Sequence, residues 1–402
     1  MNLRYVSAAL SVMLLAFSTD AQIPPTQELS AQDEHEFIKE LKRLETLLST
    51  ANDKPAVELQ IANTYAAAGR FSEALQRLRK LVQSNLGFDP SRDPDFAKLR
   101  DTVELRAIID EVRRQTPPVQ NSRLIATLDA RNVRPESIAF DAKRNAFLLG
   151  NTETSELVTC SLQGECHAFV MPDAKEKAYV LGVKVDSARR LVWATNNTAS
   201  GAGLRCFDLE TGKLRRTASV SGRHVLNDLA ISSTGTVYVS DTADSAVYQL
   251  PSGTSTFQRM APHHTFTAAN GIALSADEKF LYVSTWEDGI DVIDLRSGAV
   301  MPIGHPDNIC LAFIDGLYAT QRSLIAIQNG PMLPRIAEFR LSENHLQIVS
   351  MRLLERRNPA FDGITTGVVV RNDLYYVANP QTDKKSDHEL RPLQVFRVLV
   401  SP

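Results

Sequence analysis

Four oxygen-bearing side chains each stand at the start of a short hydrophobic run: Glu136, Asn227, Asn270 and Asp315. Two carboxylates and two amides form an all-oxygen set, which suits a hard divalent cation such as Ca²⁺ better than zinc or copper. Because Ca²⁺ takes about six to eight oxygen ligands, four side chains leave positions for water and a substrate. Asn and Asp also form turns before strands, and that structural role is the alternative for each residue taken singly.

The hydrophobic runs behind these residues recur along the chain. With two weaker members at Gly182 and Gly367, the starts follow one another at steps of about 45 residues, which is typical of a β-propeller with one unit per blade. Each run is followed by further short strands rich in β-branched and aromatic residues. The pattern predicts a mainly β fold, a six-bladed β-propeller over residues 122–400. In such a ring, the four oxygen-bearing side chains converge at one end of the central channel.

The last predicted strand, Leu393–Leu399, nearly exhausts the chain and leaves the sixth blade one strand short. A spare strand at 122–129 precedes the first unit. We expect this strand to complete the sixth blade and to close the ring, because closure removes two exposed strand edges.

Composition and the N-terminus indicate the class of protein and its destination. The chain has 402 residues, 43% hydrophobic and 23% charged, with a formal net charge of −3. It is therefore globular, and its charge gives no reason to expect nucleic acid as a partner. Residues 1–21 combine Arg4, an apolar stretch of about a dozen residues and a small-residue exit, which is the order of a secretory signal peptide. That stretch is too short to span a bilayer. The sequence predicts a secreted or periplasmic protein with no membrane span in the mature chain.

Residues 33–115 differ in character, with Leu, Ala, Glu, Arg and Lys at helical spacing and few glycines. Asp53 and Pro55 mark the start of a helix. The stretch around Gly69 predicts two helices joined by a tight turn, and its small and aromatic residues resemble a single tetratricopeptide repeat. Two interpretations of this small α-helical domain stay open. It is either a cap packed on the propeller or a domain whose groove binds a protein partner.

The four cysteines of an exported chain are candidates for disulfide bonds. Cys160 and Cys166 flank a predicted hairpin turn, so a cross-strand disulfide is one possibility and packing as small hydrophobic residues is the other. Cys206 and Cys310 lie far apart in the sequence, and both are predicted to lie in the cores of strands.

Several of these segments resemble a known family. Pro135-Glu136, Asn227-Asp228, the stretch 270–284 and Asp315-Gly316 are similar to motifs of the senescence marker protein/gluconolactonase/luciferin-regenerating-enzyme family. This family consists of six-bladed propellers and includes regucalcin and diisopropylfluorophosphatase. The resemblance covers residues 122–400 and leaves out the helical part.

The resemblance implies a role for each candidate residue. It implies that Glu136, Asn227, Asn270 and Asp315 hold a catalytic divalent ion, with Asp315 as base or nucleophile and Asn227 also contacting the substrate. The implied reaction is hydrolysis of a lactone or phosphotriester, in which the metal polarises the carbonyl or phosphoryl oxygen. Val225 stands where sugar-lactone hydrolases of the family carry an arginine, which disfavours sugar lactones as substrates.

Two functions from different classes follow. The first is an exported hydrolase of small lactone or ester-type substrates that depends on Ca²⁺ or another hard divalent cation. The alternative is a non-catalytic propeller that keeps the metal for structure and binds a protein partner through its helical domain. The four oxygen-bearing residues favour the first function, and the appended helices favour the second.

Overall fold

The computed structural model describes residues 23–24, 29–172, 177–262, 265–384 and 389–401. The predicted signal peptide, residues 1–21, lies outside the described residues. In the part of the chain that the structure describes, no helix is both long enough and apolar enough to cross a membrane.

The N-terminal part is helical, and side chains cap the starts of three of its helices. Ser30, Asp53 and Thr102 each accept a backbone N–H at the first turn, which satisfies a donor that the helix leaves unpaired. Gly69 has a positive φ of 70° and makes the predicted turn between two helices. The helices are α1 (Ala31–Thr50), α2 (Lys54–Ala67), α3 (Phe71–Gln83) and α4 (Val103–Gln115), with a 3₁₀ helix at Pro94–Leu99.

The rest of the chain forms six antiparallel sheets within the described residues, which confirms the predicted six-bladed propeller. The strands, in chain order, are β1 (Val119–Gln120), β2 (Arg123–Leu128), β3 (Ile138–Asp141), β4 (Ala146–Gly150), β5 (Leu157–Ser161), β6 (Cys166–Val170), β7 (Ala178–Tyr179), β8 (Val183–Asp186), β9 (Leu191–Thr198), β10 (Gly201–Asp208), β11 (Leu214–Ser221), β12 (Leu226–Ile231), β13 (Val237–Asp241), β14 (Ala246–Leu250), β15 (Gln258–Arg259), β16 (Ala269–Leu274), β17 (Phe280–Thr285), β18 (Gly289–Asp294), β19 (Val300–Pro302), β20 (Ile314–Ala319), β21 (Ser323–Gln328), β22 (Arg335–Leu341), β23 (Ile348–Arg356), β24 (Gly367–Val370), β25 (Asp373–Val377) and β26 (Leu393–Leu399).

The blades follow the chain, with one exception at the closure of the ring. Blade one comprises β3–β6, blade two β7–β11, blade three β12–β15, blade four β16–β19 and blade five β20–β23. Blade six combines β24–β26 with β2, which pairs antiparallel with β26 and places Leu128 opposite Leu393. The closing strand is therefore the predicted one. The short strand β1 adds an outer edge to blade five, where Val119 lies opposite Arg356.

Hydrophobic side chains fill the spaces between neighbouring blades, because alternate residues of a strand point to opposite faces of its sheet. Leu148 of blade one packs in one cluster with Val192 of blade two, and Leu204 of blade two packs in another with Leu229 of blade three. These contacts set the mutual placement of the inner strands and so the geometry of the channel.

The helices pack against blade five. Leu105 and Phe96 of the helical part share a hydrophobic cluster with Phe313, Met332 and Leu333 of the propeller. These propeller residues lie in the connection before β20 and in the turn between β21 and β22. In a meander, both kinds of connection lie at the end of the propeller where the inner strands begin. The helical part therefore covers blade five at the end of the channel that carries the candidate ligands.

The structure answers both cysteine questions. Cys160 and Cys166 occupy paired positions on β5 and β6 and form a disulfide. Cys206 is buried in β10, as predicted. Cys310 is buried as well, but the strand prediction for it was wrong, because it lies in the connection before β20. Its carbonyl accepts a hydrogen bond from the Gln328 side chain instead of pairing with a neighbouring strand.

Candidate functional site

The inner strands that carry three of the four candidate ligands begin at irregularities of the strand ladder. The register between inner and second strand shifts near the start of β12, of β16 and of β20. Such a bulge sets two residues opposite one and turns side chains away from the regular alternation. The residues inside the shifts are Asn227 and Asp228 in β12, Asn270 and Gly271 in β16, and Asp315 in β20.

Hydroxyl side chains near the ends of the second strands hold these irregular segments. Ser240 accepts a hydrogen bond from the Asp228 N–H at 3.1 Å and donates one to the Asn270 carbonyl of the next blade. Ser284 donates to the Ile314 carbonyl at 3.0 Å, again across a blade boundary. The small polar residues that end the second strands therefore bind the inner strands of adjoining blades to one another.

Asp315 accepts a side-chain amide on each of its two carboxylate oxygens. Asn270 Nδ2 donates to Oδ1 at 2.9 Å, and Asn329 Nδ2 donates to Oδ2 at 2.7 Å. Asn329 also donates to the Ile364 carbonyl at 2.8 Å, which ties the group to blade six. The two amides therefore orient the carboxylate.

The negative charge of Asp315 acts on Glu136. Removal from water raises the pKa of Glu136 to about 7, and the negative charge of Asp315 adds to this rise. Removal from water also raises the pKa of Asp315 to about 6, against the opposing effect of the Asn329 and Asn270 amides. A hydrogen bond joins Asn270 to Asp315, and Glu136 is near enough for the charge of Asp315 to raise its pKa. A cation bound near the two carboxylates would stabilise their ionised forms.

Asn227 lies on the neighbouring blade. Its Nδ2 donates to the Thr242 hydroxyl at 3.0 Å, and that hydroxyl donates to the Ala269 carbonyl at 2.7 Å. Ala269 directly precedes Asn270. The connection from Asn227 to the other candidate ligands therefore runs through Thr242 and the start of β16.

An ion pair occupies the same channel. Lys184 Nζ, on the inner strand of blade two, is 3.0 Å from Asp228 Oδ1 and 5.3 Å from the centre of the Tyr318 ring. The charge of Asp228 contributes to the raised pKa of Asp315, so the pair is close to the carboxylate group. Because Lys184 is paired with Asp228, its positive charge is already partly compensated there. Lys184 therefore does not neutralise the charges that Glu136 and Asp315 carry when they are ionised.

The sequence did not lead us to predict Asn329 or Lys184 as residues of the candidate site. Asn329 directly follows β21, where the other blades end their second strands in small polar residues, so that pattern was a usable signal. Lys184 stands two residues after Gly182 and so faces the same side of the inner strand. Asp228 was noted only as part of a motif, and no local pattern pairs it with a lysine on another blade.

Apart from the channel, one group of histidine and carboxylate side chains in the described residues is close enough to hold a metal: His224, Asp241 and Asp244. His224 Nδ1 is 2.6 Å from Asp241 Oδ2. Asp244 forms an ion pair with Arg259 and accepts a hydrogen bond from Tyr248. Because both carboxylates are already engaged, this group is accounted for as a structural network.

The fold and the channel define a six-bladed propeller with half-buried carboxylates and amides at the starts of its inner strands. No family model and no curated protein matches the chain. A gluconolactonase from Xanthomonas campestris is similar in structure with a TM-score of 0.47 and 17% identity, covering 71% of this chain and 98% of its own. A luciferin-regenerating enzyme has a TM-score of 0.48 and 15% identity, covering 70% and 95%. A putative oxidoreductase (glucose dehydrogenase) from Thermus thermophilus has a TM-score of 0.48 and 13% identity, covering 70% and 100%. At these levels of similarity the matches carry no argument about function.

Proposed function

We propose that the protein is a hydrolase of small lactone or ester-type substrates that depends on a hard divalent cation, with Ca²⁺ as the first candidate. The observation that supports this proposal best is the pair Glu136 and Asp315, two carboxylates withdrawn from water whose pKa values are raised to about 7 and about 6. A divalent ion would balance their two charges.

The donor atoms fit such an ion. Glu136 and Asp315 supply carboxylate oxygens, and Asn227 and Asn270 supply side-chain carbonyl oxygens, which are the ligands that Ca²⁺ and Mg²⁺ prefer. Asn329 keeps the Asp315 carboxylate oriented at 2.7 Å without having to be a ligand itself. Outer hydrogen bonds of this kind are typical of metal sites, where they fix the position of the ligands.

In the proposed reaction, a cation held by Glu136, Asn227, Asn270 and Asp315 would polarise the substrate carbonyl oxygen as a Lewis acid. Asp315, oriented by the Asn270 and Asn329 amides, accepts the proton of the attacking water. Asn227 steadies the substrate from the channel wall. Val225, two residues before Asn227, provides an apolar side chain that cannot hydrogen-bond to sugar hydroxyls, so acyl or aromatic lactones are the preferred substrate class.

We also propose that the protein is exported. The first support is the signal-peptide pattern of residues 1–21. The second is the disulfide between Cys160 and Cys166, since disulfides persist mainly in oxidising compartments. N-terminal sequencing of the natural protein should find a mature start near Gln22, and a retained Met1 on a cytoplasmic protein would contradict the proposal.

The function is tested by hydrolysis of a panel of lactones and esters with added Ca²⁺ and with EDTA. We expect activity on at least one lactone that EDTA abolishes and Ca²⁺ restores. The matched variants are Glu136→Gln, which should lose the activity, and Asp291→Asn, which should keep it. Asp291 is a suitable control because burial raises its pKa to about 6 as well, while it lies in the third strand of blade four.

The same assay separates the two function classes. Calcium binding by the wild type without hydrolysis of any lactone or ester would favour the non-catalytic propeller with a structural metal. In that case the search for a protein partner of the helical part becomes the next experiment. Absence of binding of both Ca²⁺ and Mg²⁺ would contradict both functions as stated.

A further inference from the structure

The segment that leads into β20, the strand of Asp315, is held by a side chain of the helical part. Asp53 is fully buried, and its Oδ2 accepts the backbone N–H groups of Leu311 at 2.5 Å and of Ala312 at 3.0 Å. Its Oδ1 accepts the Cys310 thiol at 3.3 Å. The segment 310–312 therefore donates hydrogen bonds to a carboxylate that lies more than two hundred positions earlier in the chain.

Asp53 also caps helix α2, where its Oδ1 accepts the Ala56 N–H at 3.4 Å. A serine caps a helix about as well as an aspartate does. Capping alone therefore does not require a buried carboxylate, whose removal from water is costly unless it is well paired. The additional role of Asp53 is its hydrogen bonds to the propeller.

The opposite side of the same segment is held from within the propeller. Gln328 Nε2 donates to the carbonyls of Cys310 at 3.1 Å and Ala312 at 2.7 Å. The buried Arg335 donates to Gln328 Oε1 at 2.7 Å and to the Leu86 carbonyl of the helical part at 2.9 Å. The N–H groups and carbonyls of the segment are thus engaged from both sides, by Asp53 and by Gln328.

The next residue shows why this segment needs to be held. Phe313 has a φ of 60°, in the left-handed region that is strained for a bulky residue and persists only where the surroundings enforce it. Its N–H donates to the Trp286 carbonyl at 2.7 Å, and its carbonyl accepts the Asn329 N–H at 3.2 Å. Asn329 is the residue that donates to Asp315. A change in the conformation of Phe313 would move both Asp315 and its hydrogen-bond partner.

We infer that Asp53 is a positioning residue for the candidate metal site: by holding residues 310–312, it fixes the strained turn at Phe313 and so the placement of Asp315 and Asn329. The helical part is then a structural component of the channel site. This inference rests on the proposed function for its metal readout, but it also has a readout that needs no metal.

The test uses the full-length mature chain with Asp53→Ser, which keeps the cap of α2 but is too short to reach Leu311 and Ala312. The matched control is Asp93→Ser. Asp93 is a buried helix cap too, but its side chain accepts hydrogen bonds from the Asn63 side chain and the Asp95 backbone N–H, both within the helical part. Hydrogen exchange in EDTA and calcium affinity by calorimetry are measured for both variants and the wild type.

We expect Asp53→Ser to speed up amide exchange at Asp315 and Gly316 and to weaken calcium binding by about tenfold, the lower end of the effect of outer-shell changes on metal affinity. Asp93→Ser should change neither quantity. Asp53→Asn, which keeps one oxygen acceptor, should lie between the wild type and Asp53→Ser. If Asp53→Ser does not fold, the comparison is made with Asp53→Asn.

The two possible failures are distinguishable. If Asp53→Ser exchanges faster only at Leu311 and Ala312, while exchange at Asp315 and calcium affinity match the wild type, Asp53 has no positioning role. If the wild type binds neither Ca²⁺ nor Mg²⁺, the proposed function fails, and exchange at Asp315 in EDTA still decides the role of Asp53.

Discussion

Asn270 donates its side-chain amide to the Asp315 carboxylate at 2.9 Å, across the boundary between blades four and five. Each residue stands in an irregularity of its own strand ladder, and together they join two inner strands at the end of the channel. This contact makes the two residues one unit. A substitution at either residue should therefore alter the position of the other side chain. The effects of the two substitutions on ion affinity should not be additive.

The first prediction concerns the two proposed roles of Asp315, which are metal binding and acceptance of a proton. In Asp315→Asn, the amide oxygen can still serve as a ligand, but the side chain can no longer accept a proton. Activity should fall by about 10²–10⁴-fold, the usual contribution of general-base catalysis, while calcium affinity falls less. Calorimetry and lactone kinetics on the same preparation provide the two measurements. Equal losses of binding and activity would assign Asp315 to metal binding alone.

The second prediction concerns Asn329, which touches Asp315 but is not a proposed ligand. Asn329→Ala removes the donors to Asp315 Oδ2 and to the Ile364 carbonyl, so calcium affinity should fall by about tenfold. Asn379→Ala is the matched control, because Asn379 donates to the Pro392 carbonyl within blade six. The calcium affinities of both variants and the wild type are measured by titration. An affinity of Asn329→Ala equal to that of Asn379→Ala would show that the amide of Asn329 does not orient the carboxylate.

The third prediction follows from the raised pKa values of Glu136 and Asp315. In EDTA, the folded protein retains protons on these groups at pH values where the unfolded chain has lost them. This contribution to stability therefore decreases as pH rises from about 4 to about 7 and is constant above that range. Calcium requires the ionised forms, so its affinity should increase with pH over the same interval.

Thermal melts between pH 4 and pH 8, with and without calcium, test this dependence. Glu136→Gln removes one of the two titrating groups and should flatten the pH dependence of the difference between the two melts. At a calcium concentration about 100 times the Kd, binding should stabilise the wild type by about 2.7 kcal/mol. A calcium effect that is the same at pH 5 and pH 8 would contradict the assignment to these carboxylates.

The fourth prediction concerns the disulfide between Cys160 and Cys166 in blade one. It closes a short loop, for which the chain-entropy model gives a stabilisation of about 2 kcal/mol. Replacing both cysteines with serine should lower the free energy of unfolding in urea by that amount. Reductant should lower the stability of the wild type and leave the double variant unchanged. A reductant effect on the double variant would point to another source, since Cys206 and Cys310 are free.

The fifth prediction tests the closure of the ring. A chain that starts at Val119 keeps β2 against β26, whereas one that starts at Arg131 leaves the edge of β26 unpaired. Both lose the helical cover of blade five, so the difference between them reports on the closing strand β2 together with the short edge strand β1. We expect the shorter chain to aggregate more, because unpaired strand edges template association. Equal solubility and equal melting temperatures would contradict this role of β2.

Sequence alone determined the number of blades and the strand that closes the ring. Each blade is a run of short strands joined by tight turns, so its hydrophobic pattern is local and repeats visibly along the chain. The same repeat placed Glu136, Asn227, Asn270 and Asp315 at equivalent starts of inner strands. The helix start at Asp53 and the turn at Gly69 were also readable, because caps and turns depend on neighbouring residues.

Only the tertiary structure decided which side chains meet. The amide of Asn329 on Asp315, the pairing of Lys184 with Asp228 and the hydrogen bonds of Asp53 to residues 310–312 all join parts of the chain that no local pattern relates. At Cys310, by contrast, a local pattern predicted a strand that the tertiary structure does not form. Its apolar neighbours resemble a strand, but the competing hydrogen bonds from Gln328 and Arg335 hold it in a connection. Such contacts depend on how the blades and helices pack in three dimensions, and that packing follows from the whole chain.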